Sequence, residues 1–537
     1  MVSRASELPV ADAPTGDRHE RVPGYDVARA FAICGMVLIN FGVYLLGSPH
    51  GGPGEIFLRW LAHVPGGRAS SLFVTLAGVG IARMAWGDPM LARRTLLARA
   101  AVLMSLGAVN VILLHWDIDI LHFYAWYLSI AAIFFLRASP RALLLAAIAF
   151  GVSGALLEIA FPEEARAWAP LYEIRVTPVF GTELKLLYVS VPGLLRDALV
   201  DGVHPIFPWL AFLLWGMWLG RLDLREPALR HTVLARALGV VVATEIASRA
   251  IAMVLVGSDA SAAVSWLGLV HTDWSPSAFY VLSACGSATS IIAIAHELVA
   301  RWPASRMVRG LGNVGQLALS LYLVHAHLAI GIPRFFLGQS HAMPVETMLV
   351  YWVGFVLVVL PLAALYRTRF RRGPVEWLLR RVTGSPEHVP PLVPAGMTPR
   401  EPPRWVWPAL ALGLASLPLA SLLGGAPWRG ECAERVAIAD GETQGELSLV
   451  CPRARYALEI DAPTELTLAT RSGLDVYLEL RHEGRMVDED DDSGPHLDAR
   501  LVTTLAPGRY DVDVRPYSAS TGPFVLEVRT APAPAAP

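Results

Sequence analysis

The sequence predicts two parts of different class: an all-α polytopic membrane domain, about ten helices plus one further span, followed by a small all-β sandwich. Three observations carry this prediction. Of the 537 residues, 54% are hydrophobic and 17% charged, against about 25% charged in an ordinary soluble domain. The charge deficit falls before residue 425, where apolar stretches of near-membrane length recur from about residue 26 to about residue 424. After that the pattern changes to apolar–polar alternation of period two across 430–530, the mark of half-buried strands.

In chain order, residues 1–24 are polar, carry no signal-peptide core and are expected to be a disordered cytoplasmic tail. Eleven apolar helices are expected at roughly 26–47, 70–86, 96–115, 119–136, 141–161, 205–221, 233–256, 277–299, 316–338, 346–367 and 405–424. A span needs about 20 apolar residues, so 70–86 and 205–221 are short. A Pro-rich stretch, 385–404, links the tenth helix to the final span.

The connections alternate in arginine. Arg18 and Arg21 precede the first helix, and the second-to-third connection holds Arg83, Arg93, Arg94 and Arg99. Arg137 and Arg141, then Arg221, Arg225, Arg230 and Arg236, then Arg301, Arg306 and Arg309 follow at every second connection. The last such connection carries Arg367, Arg369, Arg371, Arg372, Arg380 and Arg381. Short basic loops stay on the cytoplasmic side, so this side is expected to be cytoplasmic. The opposite connections hold Asp117, Asp119, Asp259 and Asp273, and a mixed-charge segment, 162–204, too long to vote. Eleven spans then put the C-terminal part outside the cytoplasm. The expected location is a bacterial inner membrane, multi-pass, with a cytoplasmic N-terminus.

The β part spans 430–530, with an Ala/Pro tail at 531–537. Cys432 and Cys451 fall in the expected oxidising compartment, where a disulfide between them is plausible. Cys34 and Cys285 sit inside apolar helices as packing residues. Asp490, Asp491 and Asp492 are a weak calcium candidate, since hard cations take carboxylate oxygens. The run lacks EF-hand spacing, and a solvated acidic turn is the plainer reading.

A formal net charge of −2 offers no field for nucleic acid, and none is expected as a partner. The chain has no G-x-x-x-x-G-K-S/T, no paired C-x-x-C and no H-E-x-x-H, which argues against an ATPase, a redox enzyme or a zinc peptidase.

The motifs of the helical part form an ordered set. They are "DVAR" at 26–29, "GRASSLFVTLAGVGIAR" at 67–83, "DIDILHFYAWYLSI" at 117–130, "HPIFPWLAFLLWGMWLGR" at 204–221, "GNVGQLALSLYLVHAHL" at 312–328 and "FRRGPVEWLLRRVTG" at 370–384. Together they resemble the YeiB-like membrane family known by its DUF418 domain, over about residues 20–384. One departure is Ala30, where that family commonly has Gly. The family is distantly similar to transmembrane acyltransferases such as heparan-glucosaminide N-acetyltransferase, which pass acyl groups from cytoplasmic acyl-CoA to a sugar across the membrane. The C-terminal stretch with Asp490–Gly494, Leu505, Gly508, Tyr510 and Val514 resembles the bacterial pre-peptidase C-terminal domain, a non-catalytic accessory.

The resemblance implies a membrane acyltransferase with acyl-CoA as co-substrate and an extracytoplasmic glycan or lipid as acceptor. Such chemistry needs a base near neutral pKa, hence His. His50, His63, His115, His122, His204 and His271 lie towards the expected outer face. His63 shortly precedes the second span, and His325 matches the family pattern L-x-x-Y-x-x-H with Leu319 and Tyr322. His122, with Asp119 to orient it, is the third candidate. Against these stand plain readings: an exposed loop His at 63, and Asp119 as a helix cap. His325 and His327 are two apart and cannot share a helical face. Asp26, Arg29, Arg68 and Asn40 are the candidates to bind the cofactor, with the "FRRGPVEWLLRR" arginines beside them. A charge inside a span costs roughly 2.5–3.5 kcal/mol, so Asp26 and Arg29, three apart, also read as an interfacial ion pair. Glu245 and Arg249 read as a structural pair. The alternatives are a transporter of a small solute, for which no internal repeat is visible, and a membrane-anchored envelope-binding protein, which needs fewer spans.

Overall fold

The computed structural model describes residues 22–46, 53–86, 88–113, 119–160, 172–179, 182–189, 191–256, 272, 277–331, 343–383, 435–447, 454–472, 476–482, 485–490, 493, 498–516 and 522–532. The expected linker 385–404, the final span 405–424, Arg18, Arg21, His50, His115, Asp117, Asp259, His271, Asp273, Cys432, Cys451, Asp491 and Asp492 lie outside them.

The first helix, α1, runs Pro23–Leu45, with Pro at its start and Asp26 in its first turn. Both suit a helix N-terminus, where no amide is lost and negative charge meets the positive end of the dipole. A short helix, α2 (Pro53–His63), leads to α3 (Arg68–Ala85) and α4 (Pro89–Ala108). Asp88 caps α4, accepting from Met90 N at 2.8 Å. Helix α4 continues as a π-helical turn, Val109–Leu113. Helix α5 (Leu121–Ile130) likewise ends in a π turn, Ala131–Phe135, and α6 is Pro140–Ala160.

The long mixed-charge segment contains an antiparallel hairpin, β1 (Tyr172–Val179) with β2 (Thr182–Val189), then a short helix α7 (Val191–Arg196) and a π turn, Asp197–Asp201. Sequence periodicity over 162–204 did not anticipate either. Next come α8 (Ile206–Leu219), α9 (Pro227–Val256) and α10 (Ala278–Arg301). Ser277 caps α10 through Tyr280 N. Helix α11 (Arg306–Gly315) precedes α12 (Ala318–Val324), which continues as a π turn, His325–Ile330. Helices α13 (Val345–Arg369) and α14 (Pro374–Thr383) close the helical part.

Among the described residues, five helices are long and apolar enough to cross a membrane. They are Pro23–Leu45, Pro89–Val111, Pro140–Leu157, Ala278–Arg301 and Val345–Arg369. Helices α2, α11 and α14 were not among the expected elements. At 10 or 11 residues each is well below the length of a span, so a search for membrane-length apolar runs passes over them.

Close packing follows from small residues. A Cβ on Gly78 would run into the carbonyl oxygen of Leu213, and one on Gly216 into that of Thr75, so α3 and α8 touch backbone to backbone. Gly315 lies equally close to the Asp26 carbonyl, which seats α11 on α1. Such contacts maximise dispersion where no water drives association.

The C-terminal part is β-sheet. A five-stranded sheet has the order β3-β5-β10-β7-β8, and a four-stranded sheet the order β4-β11-β6-β9. These strands are Arg435–Ile438 (β3), Gly441–Leu447 (β4), Ala454–Ile460 (β5), Thr464–Ser472 (β6), Val476–His482 (β7), Arg485–Asp490 (β8), Arg500–Leu505 (β9), Gly508–Pro516 (β10) and Gly522–Pro532 (β11). Alternate residues of both sheets, among them Leu478, Leu480, Val512, Val514, Leu466, Leu468, Leu526 and Val528, meet in one apolar cluster. The period-two reading therefore has a physical counterpart. Strand β11 extends to Pro532, paired with Thr464, so the first two residues of the expected tail are strand.

Candidate functional site

The helix directions put the arginine-bearing ends of α1, α3 and α4 at the same end of the bundle as residues 371–380. Asp26 and Arg29 pair at 2.8 Å, and Gln316 Nε2 donates to the second Asp26 oxygen at 3.3 Å. Asp26 is thus held by its own helix turn and by the residue following α11.

A cavity of about 380 Å³ opens beside this pair. That size falls in the range of small-molecule sites, about 300–1,000 Å³. Its charged lining is Arg29, Arg99, Arg371, Arg372, Glu376 and Arg380. Apolar walls, including Met36, Phe73, Leu76, Leu103 and Leu128, lead from these to Ile120, Leu121 and Tyr322. One cavity therefore joins the arginine-rich end to the residues at the start of α5.

There a polar network is sealed in. Asp119 is fully buried and accepts from Asn110 Nδ2 at 2.8 Å, Leu121 N at 2.9 Å and His122 N at 3.2 Å. His122 Nδ1 meets Asp119 Oδ2 at 3.1 Å, and the Tyr322 hydroxyl reaches Asp119 Oδ1 at 3.3 Å. Asp119 is thus a helix cap and an imidazole partner at once. As a carboxylate it only accepts, so a proton on Nδ1 points to it. Nε2 faces Asp197 Oδ2 at 3.6 Å, outside hydrogen-bond range.

His325 is 0% exposed, and its Nε2 lies 2.7 Å from Asn40 Nδ2. The Tyr322 ring sits 5.3 Å from that of His325. Tyr322 also receives the Ile120 amide at 3.1 Å, so it bridges the two histidine sites. His327 turns to another partner, Asn110 Oδ1, at 3.2 Å, in line with two residues that cannot share a face. Three π-helical turns supply Asn110, Asp197, His325 and His327. Such widened turns are frequent at functional sites.

The structure brings together His122, Asp119, His325 and Asn40. It does not bring His63 to them: His63 ends α2 with its side chain exposed, and its carbonyl accepts from Gly66 N at 2.7 Å. Arg68 and Asp26 do not line the cavity. Arg68 Nη2 pairs with Glu245 at 2.8 Å and donates to Ser283 at 3.1 Å, while Nη1 donates to the Thr272 carbonyl. Arg249 holds the other Glu245 oxygen at 2.5 Å. The expected Glu245–Arg249 pair is part of this larger tie between α3, α9 and α10. Asn40 lies on His325 rather than at the arginine-rich end.

Sequence reasoning did not single out Asn110, Asp197, Arg99 or Glu376. A lone Asn in the apolar run "SLGAVNVILL" was the available signal for the first. Asp197 offered none, because only the fold sets it beside His122.

In the β part, Asp490 Oδ2 accepts from Ser493 N at 3.1 Å and Arg500 N at 2.7 Å. Arg515 lies between Glu479 and Asp513, 3.0 Å from each. The free thiols Cys34 and Cys285 lie in α1 and α10.

The fold and cavity define a helical membrane protein with a ligand-sized cavity that is cationic at one end and reaches Ile120, Leu121 and Tyr322, the neighbours of a histidine–carboxylate cluster. Two family models match it: heparan-alpha-glucosaminide N-acetyltransferase, catalytic, over residues 21–250, and DUF418, a protein of unknown function, over residues 221–385. The helical region, from α1 through α14, is thus similar to the DUF418 and acetyltransferase catalytic families, each over part of its length. No curated protein matches the chain. Among solved structures, the pre-peptidase C-terminal domain of a collagenase from Bacillus anthracis is similar at 17% identity. That match covers 19% of this chain and 99% of the other, with a TM-score of 0.17.

Proposed function

We propose that the protein is a membrane acyltransferase that takes an acyl group from acyl-CoA at its arginine-rich, cytoplasmic end. It delivers the group to a glycan or lipid acceptor at the opposite, extracytoplasmic end. One observation carries this reading: a single cavity is lined at one end by Arg29, Arg99, Arg371, Arg372 and Arg380, and at the other by Ile120, Leu121 and Tyr322, next to Asp119 and His122. Arginines suit the phosphates of a nucleotide, and the apolar walls suit a pantetheine arm and a thioester.

Within this reading His122 is the better placed base. Its Nδ1 is held by Asp119, and in this reading Nε2, which faces Asp197 Oδ2 at 3.6 Å, takes the proton of an acceptor hydroxyl or amine as that group attacks the thioester carbon and the CoA thiolate departs. Its side chain is 13% exposed, whereas His325 is sealed and its Nε2 accepts from the Asn40 amide. His325 and Asn40 then act on Tyr322 and the cavity end rather than on the proton. The match to an acetyltransferase catalytic model over α1–α9 supports the reaction class, though fold similarity alone would not assign it.

The test is acyl-CoA binding and thioester cleavage by the purified protein in nanodiscs, with His122→Gln, His325→Ala and His63→Ala beside the wild type. Saturable binding, with cleavage lost in His122→Gln and kept in His63→Ala, supports the assignment. Cleavage kept in His122→Gln and lost in His325→Ala would move the base to His325. No binding of any acyl-CoA sinks the enzyme reading and favours a transporter.

A further inference from the structure

The closing motif "FRRGPVEWLLRR" does more than supply arginines to the cavity mouth. Glu376 Oε1 accepts from Leu319 N at 2.8 Å and from Ser320 N at 3.1 Å. These amides open α12 and have no carbonyl of their own helix to bond. Glu376 Oε2 accepts from the Ser320 hydroxyl, and that hydroxyl accepts from Val375 N at 3.2 Å. A Cβ on Gly373 would meet the Glu376 carboxylate and the Ser320 hydroxyl, so the glycine of the motif leaves room for this side-chain tie. Helix α12 carries Tyr322, and its continuation carries His325. Glu376 and Arg380, four apart on one face of α14, both line the cavity, with Arg371 and Arg372 just before them.

We propose that Glu376 is a positioning residue that ties the arginine-bearing segment 371–380 to the N-terminus of the helix carrying Tyr322 and His325. An anionic ligand held by those arginines thereby orders the far end of the cavity. The proposal rests on the acyl-CoA reading for its ligand, but the tie itself does not. Occupancy of the arginine-rich mouth is transmitted through one carboxylate and two backbone amides to Tyr322, and through Tyr322 to Asp119 and His122.

The experiment uses the full chain in nanodiscs, with acetyl-CoA as probe and hydrogen exchange and turnover as readouts. Glu376→Ala is expected to speed exchange of amides 319–322 about tenfold or more, with α1 unchanged, because two amides lose their acceptor. It should lower kcat about tenfold or more with KM within about threefold. Glu376→Gln, whose amide oxygen still accepts from Leu319 and Ser320, should recover most of both losses. Acetyl-CoA should slow exchange at 319–325 in the wild type and not in Glu376→Ala. Wild-type exchange at 319–322 in Glu376→Ala overturns the proposal, as does a raised KM with kcat unchanged. If Glu376→Ala does not fold, full activity in Glu376→Gln with wild-type exchange supports the tie, and lost binding with wild-type exchange refutes it. If the wild type binds no acyl-CoA, the enzyme reading falls, and the ligand-free exchange comparison alone decides the tie.

Discussion

Asp119→Asn tests the site with the least change in shape. Among the described residues the carboxylate accepts from Asn110 and Tyr322 on Oδ1, and from Leu121 N, His122 N and His122 Nδ1 on Oδ2. An amide is isosteric but has one acceptor oxygen. If that oxygen faces α5, its NH₂ meets the Asn110 NH₂, donor against donor. If it turns round, the NH₂ meets two helix amides and the His122 Nδ1–H. Either orientation loses at least one charge-assisted bond outright and weakens the rest, at about 1.5–3 kcal/mol each. We expect a stability loss of about 2–4 kcal/mol, since the group is fully buried and cannot turn to water. The lock on the His122 tautomer also goes. If His122 is the base, turnover should fall about 10²–10⁴-fold, the span of general-base contributions. The assay pairs thioester cleavage under saturating acyl-CoA with thermal unfolding in nanodiscs. An unfolding midpoint within a degree of wild type, together with kcat within about threefold, would refute the account of this network.

Three further predictions follow from the geometry. Gly216→Ala, whose Cβ would strike the Thr75 carbonyl, should destabilise the bundle by about 1–3 kcal/mol or more. Gly239→Ala, with open space around it, should be neutral or gain about 0.5–1 kcal/mol of helix stability; thermal unfolding compares the two. Arg371→Ala with Arg380→Ala should weaken acyl-CoA binding several-fold at low salt and much less at high salt, because the mouth arginines act partly through screened water; a titration at two ionic strengths reads this. In the β part, burial raises the Asp498 carboxyl to about 7, although Ser472 donates to it from both its amide and its hydroxyl. That value lies above the unfolded one, about 3.9, so its stabilisation is full below about pH 4 and is lost as pH rises through 7. Asp498→Asn should flatten this dependence, measured as hydrogen-exchange protection of 500–505 at pH 5 and pH 8, corrected for intrinsic rates.

Much of the helical part is legible because span formation is a local property. The apolar runs that became α1, α10 and α13 lie within a few residues of their expected limits. The short α2, α11 and α14 were not legible, because each is held by contacts rather than by its own hydropathy. The site divides in the same way. His122, Asp119, His325 and Asn40 were candidates by residue type and motif, since polar groups in an apolar run are costly and stand out. Their mutual placement was not readable: Tyr322 links α12 to the start of α5 across 203 positions of sequence, counted between it and Asp119. His63 fitted by position in the chain but is carried away on α2. Arg68 was a cofactor-binding candidate as a cation at the start of a span, but it meets Glu245, on a helix that begins some 160 residues later.

By itself the sequence determined which segments are apolar enough for a bilayer, which connections carry arginine, and that the chain changes to period-two alternation after about residue 430. Each is a free energy of transfer or a backbone preference summed over neighbours in the chain. Only the tertiary structure decided which histidine faces a carboxylate, that one cavity runs from Arg380 to Tyr322, and that Glu376 holds the start of the Tyr322 helix. Those are hydrogen bonds and close contacts between residues far apart in the chain. Their geometry exists only after Gly78, Gly216 and Gly315 have let the helices pack against one another.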